Sequence, residues 1–285
     1  MIPFAEVIGD PIAQSKSPAI HNHWLSKLGM TGEYRAHRVQ VPEIAEYFAT
    51  RQRDPAWRGC NVTMPHKQLV HSQLAQIDSP ARKIGAINTI YPLPQGGLAG
   101  TNTDAPGFLE PLRPLLDATH YYRMARVLGT GGAARAIVTA LAEEKFTVVL
   151  AGRDPAKARA LLDELAPSGE HHAAALDHFA QATDFAFDDR EGCLDLVVNA
   201  SPLGMAGQPP LAYDFTHTPP GAIIYDIVTH PLETPLLAEA RDRGFRTIDG
   251  LAMLIGQAAI AFEKFFGTPP PRDDGDAELR ALLTR

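Results

Sequence analysis

Short apolar runs alternate with helix-forming stretches along most of the chain, a pattern that is typical of α/β proteins. Residues 5–8 read as a first strand, and Ser17 with Pro18 resembles an N-cap and first turn, which predicts a helix to about residue 28. The next predicted elements are strands at 34–39, 59–63 and 86–91 and helices at 42–51 and 67–74. We therefore expect a largely parallel sheet in this part of the chain.

A glycine-rich turn lies near the middle of the chain, between an aliphatic run at 126–128 and strong helix formers at 133–144. Gly129 and Gly131 allow a tight turn and the close approach of a pyrophosphate, and Ala134 takes the third small position. The phosphates would bind the free N–H groups of the helix N-terminus. An ordinary strand, turn and helix is the alternative.

The apolar run at 147–151 predicts a buried parallel strand, and Gly152, Arg153 and Asp154 follow it directly. NAD sites place a carboxylate at this strand end, whereas NADP sites place an arginine for the 2′-phosphate. Arg153, with Lys157 one helical turn further on, favours NADP over NAD. Asp154 reaches the ribose or caps the helix that Pro155 opens, and the sequence leaves both roles open.

The rest of the sequence pattern predicts a second domain that ends near Gly250. Its further strands are predicted at 194–199, 222–228 and 246–249, after a bridging helix at 105–116. A long amphipathic helix at 251–266 is expected to return to the first domain. The hypothesis is a substrate domain at 1–104, completed by 251–285, and a Rossmann-type, doubly wound dinucleotide domain at 105–250. The active site is expected in the cleft between them, at strand carboxyl ends.

Composition narrows the classes of function. With 285 residues, 45% of them hydrophobic and 21% charged, the chain can bury two modest cores. The net charge of −7 argues against a nucleic-acid groove. We expect a cytosolic protein without membrane contact, because no apolar stretch has spanning length and no signal peptide is recognisable. Cys60 and Cys193 lack metal or disulfide spacing, so reduced thiols and no metal site are predicted.

Polar residues follow the predicted strands of the first domain. Ser15 and Ser17 offer two hydroxyls beside a helix N-terminus, which suits a carboxylate, although Ser17 capping its helix is an equal alternative. Lys67 follows a turn fixed by proline and is a candidate for acid/base work. We interpret two further polar groups as the ends of the next two strands: Asn88 with Thr89, and Thr103 with Asp104. If Asp104 lies close to Lys67, the two side chains would share a proton.

These residues, taken in order, resemble the signature of the shikimate dehydrogenases, and the resemblance extends to about Gly267. The motifs that carry it are Ser15-Lys16-Ser17-Pro18, Asn61-Val62-Thr63 with Pro65 and Lys67, Gly85-Ala86-Ile87-Asn88-Thr89, Asn102-Thr103-Asp104, the turn at Gly129, Asn199-Ala200-Ser201-Pro202-Leu203-Gly204-Met205, and Asp249-Gly250-Leu251-Ala252-Met253-Leu254 with Gln257. The resemblance implies NADP-dependent, reversible reduction of 3-dehydroshikimate to shikimate, a step of aromatic amino acid and chorismate biosynthesis.

The resemblance also implies a role for each matching residue. Ser15 and Ser17 would bind the substrate carboxylate, and Lys67 with Asp104 would form the catalytic acid/base pair. The ring hydroxyls would be held by residues matching Thr63, Asn88, Asp104 and Gln257, with Asn61 nearby. Cofactor contacts would come from Gly129, Thr130, Gly131, Gly132, Ala133, Gly152, Arg153, Asp154, Lys157, Ile227 and Gly250.

The chain departs from the usual family pattern at three places. The usual strand ending Asn-Arg-Thr is Gly152-Arg153-Asp154 here, which keeps the arginine. Thr229 replaces a tyrosine, and His66 replaces a phenylalanine before the lysine. The alternatives are therefore a quinate or aminoshikimate dehydrogenase using NAD or NADP, and a sensor that binds a shikimate-like ligand without catalysis. Many relatives are dimers, which leaves a homodimer open.

Overall fold

The structure is a computed structural model that describes residues 1–187 and 190–284, except for the side chain of Asp274. The chain divides into two compact units. The first contains Met1–Thr103 and Ile255–Arg285, and the second contains Asp104–Leu254. Each unit has one six-stranded sheet and its own apolar core.

The first unit is built on a mixed sheet in which parallel pairings outnumber antiparallel ones. Its strands are β1 (Phe4–Gly9), β2 (Glu33–Arg38), β3 (Trp57–Val62), β4 (Gln76–Ile77), β5 (Thr89–Pro92) and β6 (Leu98–Thr101), in the spatial order β2-β1-β3-β5-β6-β4. The β2–β1, β1–β3 and β4–β6 pairs are parallel. Strand β5 runs antiparallel to both of its neighbours.

The reversal of β5 corrects one expectation from the sequence. Residues 86–91 were expected to form a parallel strand closed by Asn88 and Thr89, but β5 begins at Thr89 and Asn88 precedes it. The connection to β6 spans only residues 93–97, where Gly96 and Gly97 have φ values of 94° and 84°. A connection this short permits a hairpin, whereas parallel strands need a crossover of about a dozen residues or more.

Helices α1 and α2 flank the early strands of the first unit. The helices that belong wholly or partly to this unit are α1 (Ser17–Lys27), α2 (Ile44–Arg51), α3 (Ser79–Ile84), α9 (Gly250–Phe266) and α10 (Ala277–Leu283). The predicted helix at 67–74 is instead two 3-10 turns, His66–Gln68 and Val70–Gln73. The Lys67 carbonyl accepts from the amide of Ile87 at 2.8 Å, so it is not used in an α-helical bond.

The second unit contains a fully parallel sheet. Its strands are β7 (Tyr122–Leu128), β8 (Thr147–Gly152), β9 (His172–Ala175), β10 (Cys193–Asn199), β11 (Ile223–Asp226) and β12 (Arg246–Ile248), in the order β12-β11-β10-β7-β8-β9. Counted along the chain, this is the doubly wound order of dinucleotide-binding domains, with the reversal between β7 and β10. The carboxyl ends of β7 and β10 therefore mark the expected ligand position.

The helices of the second unit are α4 (Asp104–Leu109), α5 (Arg113–Leu116), α6 (Gly132–Glu143), α7 (Pro155–Leu165) and α8 (Pro235–Asp242). The single helix expected at 105–116 is divided by a 3-10 turn, because Pro111 and Pro114 lack the N–H that a continuous helix requires. The sequence did not predict β9 or α8. In β9 three alanines carry little strand propensity.

The core of the second unit packs the strands of its sheet against α4, α6 and α7. Phe108 stacks on Tyr225 with ring centroids 4.9 Å apart, and Val148, Leu196 and Phe146 lie in the same buried cluster. This packing holds the carboxyl ends of the strands in fixed positions. Within residues 1–187 and 190–284, every helix is too short or too polar to cross a lipid bilayer.

Candidate active site

Ser15 and Ser17 lie at the start of α1, after the turn that follows β1. The N-cap position is held by Lys16, so the expectation that Ser17 is the cap residue is wrong, and Ser17 and Pro18 stand in the first turn. The amide of Ser17 donates to the Ser15 hydroxyl oxygen at 3.3 Å, and Ser17 is buried. The Ser15 hydroxyl therefore lies beside the backbone of Ser17 at the N-terminus of an 11-residue helix, a position that favours an anion.

The turn after β3 packs tightly against the end of β1. A Cβ atom on Gly9 would lie 2.5 Å from Cγ2 of Thr63 and 2.9 Å from the carbonyl oxygen of Met64, so any larger residue would push the two segments apart. The amide of Thr63 donates to the carbonyl of Ile8 at 2.9 Å. Thr63 is thereby held beside the segment that leads to the two serines.

Asn61 is buried near the end of β3 and uses its amide on protein groups. Its Oδ1 accepts from the hydroxyl of Tyr34 at 2.6 Å, and its Nδ2 donates to the carbonyl of Asn88 at 3.2 Å and to Oγ1 of Thr89 at 3.0 Å. The antiparallel register pairs Asn61 with Thr89. Because β5 runs antiparallel to β3, its first residue, Thr89, lies at the carboxyl end of β3. The sequence had instead predicted that Asn88 and Thr89 end a strand.

Lys67 lies in the turn His66–Gln68 and is partly buried. The preceding residue, His66, is fully buried, and its Nε2 donates to the carbonyl oxygen of Val39 at 2.7 Å. Because a carbonyl only accepts, Nε2 carries a proton. His66, which departs from the usual family pattern, therefore connects the turn that contains Lys67 to Val39, the residue after β2.

Asn88, Thr103 and Gln257 form one buried hydrogen-bonded group. Asn88 Nδ2 donates to Oγ1 of Thr103 at 2.9 Å and to Oε1 of Gln257 at 3.4 Å. Asn102 stands next to them and donates from Nδ2 to the carbonyl of Ala86 at 2.9 Å. The sequence proposed Asn88 and Gln257 as substrate ligands but did not select Thr103, although it stands in the quoted Asn102-Thr103-Asp104 motif.

Asp104 is the first residue of α4 and is buried. It belongs to the second compact unit, whereas Lys67 belongs to the first. The acid/base pairing of Lys67 with Asp104 stays a prediction.

The glycine turn of the second unit has the conformation that a close backbone approach requires. Gly129 has a φ of 129°, and a Cβ atom there would lie 2.7 Å from the carbonyl carbon and oxygen of Ala200. A Cβ on Gly131, by contrast, would meet no atom of the described chain within 4 Å. Gly131 occupies the N-cap position of α6, where none of the described side chains caps the helix. The N-terminus of α6 therefore has free space beside Gly131 and no side-chain cap from the described residues, which fits a pyrophosphate.

The residues after β8 show which role Asp154 takes. Oδ1 of Asp154 accepts from the amides of Ala156 at 2.9 Å and Lys157 at 3.4 Å, so this carboxylate caps α7. Gly152 packs against Thr130, whose Cγ2 would lie 2.7 Å from an added Cβ. Arg153 is exposed.

A cavity of about 370 Å³ adjoins Arg153 in the second unit. It is lined mainly by apolar residues, among them Leu176, Leu203 and Leu211, with Asp177 as a second charged group. A cationic side chain beside an apolar cavity of this size can hold a phosphate next to a flat aromatic ring.

Ile227 and Gly250 come together at the carboxyl end of β11. A Cβ on Gly250 would lie 2.3 Å from the carbonyl oxygen of Val228 and 2.6 Å from that of Ile227, so the backbones touch. The buried carboxylate of Asp226 accepts from the amide of Val228 at 3.0 Å and from the hydroxyl of Thr234 at 2.7 Å. Burial raises the pKa of Asp226, and these hydrogen bonds oppose the shift.

Asn199 joins this cluster from the end of β10. Its Nδ2 donates to Oδ1 of Asp226 at 3.0 Å, and its carbonyl accepts from the amide of Ile227 at 3.2 Å. The sequence missed this bracing role, although Asn199 begins one of the quoted motifs. Its position after an apolar strand was the available signal.

The other residues that raised questions in the sequence have clear places. Cys60 is buried in the apolar core of the first unit, and burial raises the pKa of its thiol, so the group stays protonated and packs. Thr229 is partly buried after β11. The described part of the chain has no cluster of three or more His, Cys, Asp or Glu side chains that could hold a metal ion.

Comparison with known proteins identifies the family. The shikimate dehydrogenase substrate binding domain matches residues 7–90, and the shikimate 5'-dehydrogenase C-terminal domain matches residues 250–280. The shikimate dehydrogenase (NADP(+)) of Sphingopyxis alaskensis is 51% identical over 283 residues, which cover 99% of this chain and 97% of that protein.

Solved structures are similar over the same length. Shikimate 5-dehydrogenase from Thermus thermophilus in complex with NADP(H) and shikimate is 31% identical, with a TM-score of 0.78 and coverage of 99% of this chain and 98% of that one. Quinate dehydrogenase from Corynebacterium glutamicum in complex with NAD is 27% identical, with a TM-score of 0.78 and the same coverage. The predicted two-domain α/β fold with mostly parallel sheets is confirmed. The chain belongs to the shikimate dehydrogenase family.

Proposed function

We propose that the protein is an NADP-dependent shikimate dehydrogenase that reversibly reduces 3-dehydroshikimate to shikimate. The observation that carries the proposal is the uncapped, glycine-lined N-terminus of α6 together with the exposed Arg153 at the next strand end, in a chain 51% identical to a shikimate dehydrogenase (NADP(+)). The first suits a pyrophosphate, and the second suits the 2′-phosphate that distinguishes NADP from NAD.

The second unit provides the dinucleotide site in this proposal. Gly129, Thr130, Gly131, Gly132 and Ala133 hold the pyrophosphate. Arg153 and Lys157 bind the 2′-phosphate. Gly152 and Asp154 shape the loop that carries them, and the adenine lies in the cavity beside Arg153. The backbone around Ile227 and Gly250 holds the nicotinamide. When bound, NADP supplies or accepts the hydride.

The first unit provides most of the substrate site. Ser15 and Ser17 donate hydroxyl protons to the carboxylate at the N-terminus of α1, where the helix dipole favours negative charge. Thr63, Asn88 and Gln257 bind the ring hydroxyls. Asn61 positions Asn88 and Thr89 through the hydrogen bonds described above. In domain terms, residues 1–104 with 251–285 bind the acid, and residues 105–250 bind the dinucleotide.

Lys67 and Asp104 move the proton. During reduction the C3 oxygen gains negative charge, and a proton from Nζ of Lys67 neutralises it. The Asp104 carboxylate binds a substrate hydroxyl and holds the ammonium in place, so that the lysine is oriented toward the reacting oxygen. During oxidation the neutral amine of Lys67 takes the same proton back.

A quinate dehydrogenase is the second candidate, and Thr229 is the observation that favours it. The family's usual tyrosine is absent at this position, so the substrate site loses a hydroxyl and a ring wall. Aminoshikimate dehydrogenase and a non-catalytic sensor are further outcomes of the same test. A cytosolic location and a homodimer also remain proposals, and light scattering after gel filtration tests the second.

Absorbance at 340 nm separates these candidates when shikimate, quinate and aminoshikimate are each offered with NADP and with NAD. We expect the highest kcat/KM for shikimate with NADP. A preference for quinate or for NAD would replace the leading proposal with the second candidate. Binding of shikimate without turnover in any combination would favour the sensor.

A further inference from the structure

Lys16 stands between the two serines that are proposed to bind the substrate carboxylate, and its side chain contacts a distant part of the first unit. Its Nζ donates to the carbonyl oxygen of Leu283 at 2.7 Å, a partner 267 residues further along the chain. Lys16 is partly buried and is the N-cap residue of α1, whereas Leu283 is the last residue of α10. The segment that carries the serines is therefore bonded to the C-terminal helix.

The bond from Lys16 suits the end of α10. The last carbonyls of an α-helix have no partner within the helix, and the negative end of the helix dipole lies there. A lysine ammonium can donate to such a carbonyl and complements the dipole. Because α10 has only seven residues, it depends on contacts with the rest of the protein. Lys16 supplies one of these contacts at its C-terminus.

The other ends of the two helices also meet. Nζ of Lys27, at the end of α1, lies 2.5 Å from Oε2 of Glu278 in the first turn of α10, so the helices run antiparallel. These two side chains are 46% and 55% exposed, and exposed ion pairs contribute little stability. A cavity of about 220 Å³, with Trp24 and Leu279 in its lining, lies between the helices. The partly buried bond of Lys16 is therefore the stronger polar link between them.

The remaining contacts of the serine segment are local. The amide of Ser15 donates to the carbonyl of Ile12 at 3.0 Å, and the Ser15 hydroxyl accepts from the amide of Ser17 at 3.3 Å. Lys16 is covalently joined to both serines, so a fixed lysine side chain limits the rotation of both. A binding segment that is already ordered loses less conformational entropy when its ligand binds.

We propose that Lys16 is a positioning residue that holds Ser15 and Ser17 in their carboxylate-binding conformation by anchoring them to α10. The C-terminal helix thereby contributes to substrate affinity without contacting the substrate. This inference rests on the proposed function, because it takes Ser15 and Ser17 as the ligands of the carboxylate.

The test compares Lys16→Met with Lys16→Arg. Methionine has a long unbranched side chain without a donor, and arginine keeps both the donors and the charge. We expect Lys16→Met to raise the Kd for shikimate, measured by calorimetry, roughly five- to tenfold. Both kcat and the KM for NADP should stay within about twofold, because the lysine does not take part in proton or hydride transfer. Lys16→Arg should recover most of the affinity for shikimate.

Lys27→Met is the matched control. It removes the other polar contact between the same two helices, at the end of α1 that is remote from the serines. We expect this variant to leave the Kd for shikimate unchanged. An equal loss of affinity in Lys27→Met would mean that any loosening of α10 weakens binding, and would overturn the specific role of Lys16.

A double-mutant cycle with Leu283→Gly distinguishes anchoring from direct attraction between the Lys16 ammonium and the substrate carboxylate. Leu283 is buried, and glycine at this position removes its packing and destabilises the last turn of α10, which displaces the carbonyl that Lys16 binds. We expect Leu283→Gly to raise the Kd for shikimate by itself. Lys16→Met should then raise the Kd less in this background than in the wild type.

The cycle also defines what would contradict the inference. The same fold increase from Lys16→Met in both backgrounds would show that the lysine attracts the substrate directly. An unchanged Kd in Lys16→Met, or a Lys16→Arg variant that binds as weakly as the methionine variant, would equally overturn it. Wild-type protein that neither binds nor oxidises shikimate would instead overturn the proposed function, and this inference with it.

Discussion

The imidazole of His66 donates from Nε2 to the carbonyl oxygen of Val39 over 2.7 Å, and both residues are buried. Replacement by phenylalanine keeps a ring of similar size but leaves this carbonyl without its donor. We expect His66→Phe to lower the free energy of unfolding by about 1–3 kcal/mol, measured by urea denaturation. His71→Phe is the control, because His71 contacts the Gln68 carbonyl at 3.0 Å in an exposed position. Equal losses in the two variants would argue against a special role for the His66 bond.

His21 makes the stability of the protein sensitive to acid. The ring is fully buried, stacks on Tyr34 at a centroid distance of 3.9 Å and lies against Trp24 and Phe262. Burial lowers its pKa from 6.5 to about 3. Below pH 6.5 the unfolded chain binds a proton at His21 that the folded protein does not, so stability falls as the pH drops toward 3.

The loss from His21 alone should reach about 2–3 kcal/mol near pH 4.5. His21→Phe removes the titrating group, so its stability relative to wild type should rise as the pH falls. Urea denaturation at about pH 7 and about pH 4.5 measures this difference. His23→Phe, on the same helix but only partly buried, is the control variant. A His21→Phe variant with an unchanged dependence would contradict the assignment.

Lys67→Ala tests the proposed proton transfer. Loss of general acid/base catalysis typically reduces turnover by about 10²–10⁴. We expect a kcat reduction in this range with the Kd for NADP unchanged, because the nicotinamide site is assigned to other residues. Lys83→Ala, at the exposed end of α3, is the control. A folded Lys67→Ala protein with nearly normal turnover would show that another group moves the proton.

Arg153 should decide the preference for NADP. A lost hydrogen bond to a charged group costs about 1.5–3 kcal/mol, so Arg153→Ala should raise the KM for NADP roughly 10- to 100-fold and change the KM for NAD little. Asp154→Ala is the matched variant. It should lose about 1 kcal/mol of stability with the α7 cap and keep the NADP preference. A preference that follows Asp154 instead would reverse these roles.

Gly129 and Gly131 should respond differently to alanine. Gly129→Ala places a Cβ 2.7 Å from the backbone of Ala200 at a φ of 129°, so the melting temperature should fall by several degrees. Gly131→Ala meets no described atom within 4 Å and should melt close to wild type. It should still weaken NADP binding, measured by nicotinamide fluorescence, because the methyl group occupies the space assigned to the pyrophosphate. Normal NADP affinity in Gly131→Ala would move the phosphate site elsewhere.

Much of the second unit was predictable because its signals are local. The aliphatic strand ending at Leu128, the glycine turn and the alanine-rich helix each depend on neighbouring residues, and the structure has them as β7 and α6. The broken helix after Asp104 and strand β9 were not predicted correctly. The helix is broken at Pro111 and Pro114, a local signal that the prediction did not use. Strand β9 is rich in alanine, which has little strand propensity, and it forms as the partner of β8.

The sequence by itself determined most of the strands and helices of this protein and the glycine turn between β7 and α6, since periodicity, capping and backbone freedom act over a few residues. The tertiary structure decided the reversal of β5 and the role of Asp154 as a helix cap. It also decided that Asn88 meets Gln257, 169 residues away, through Thr103. Strand direction and amide orientation depend on distant hydrogen-bond partners, and only the folded chain brings those partners together.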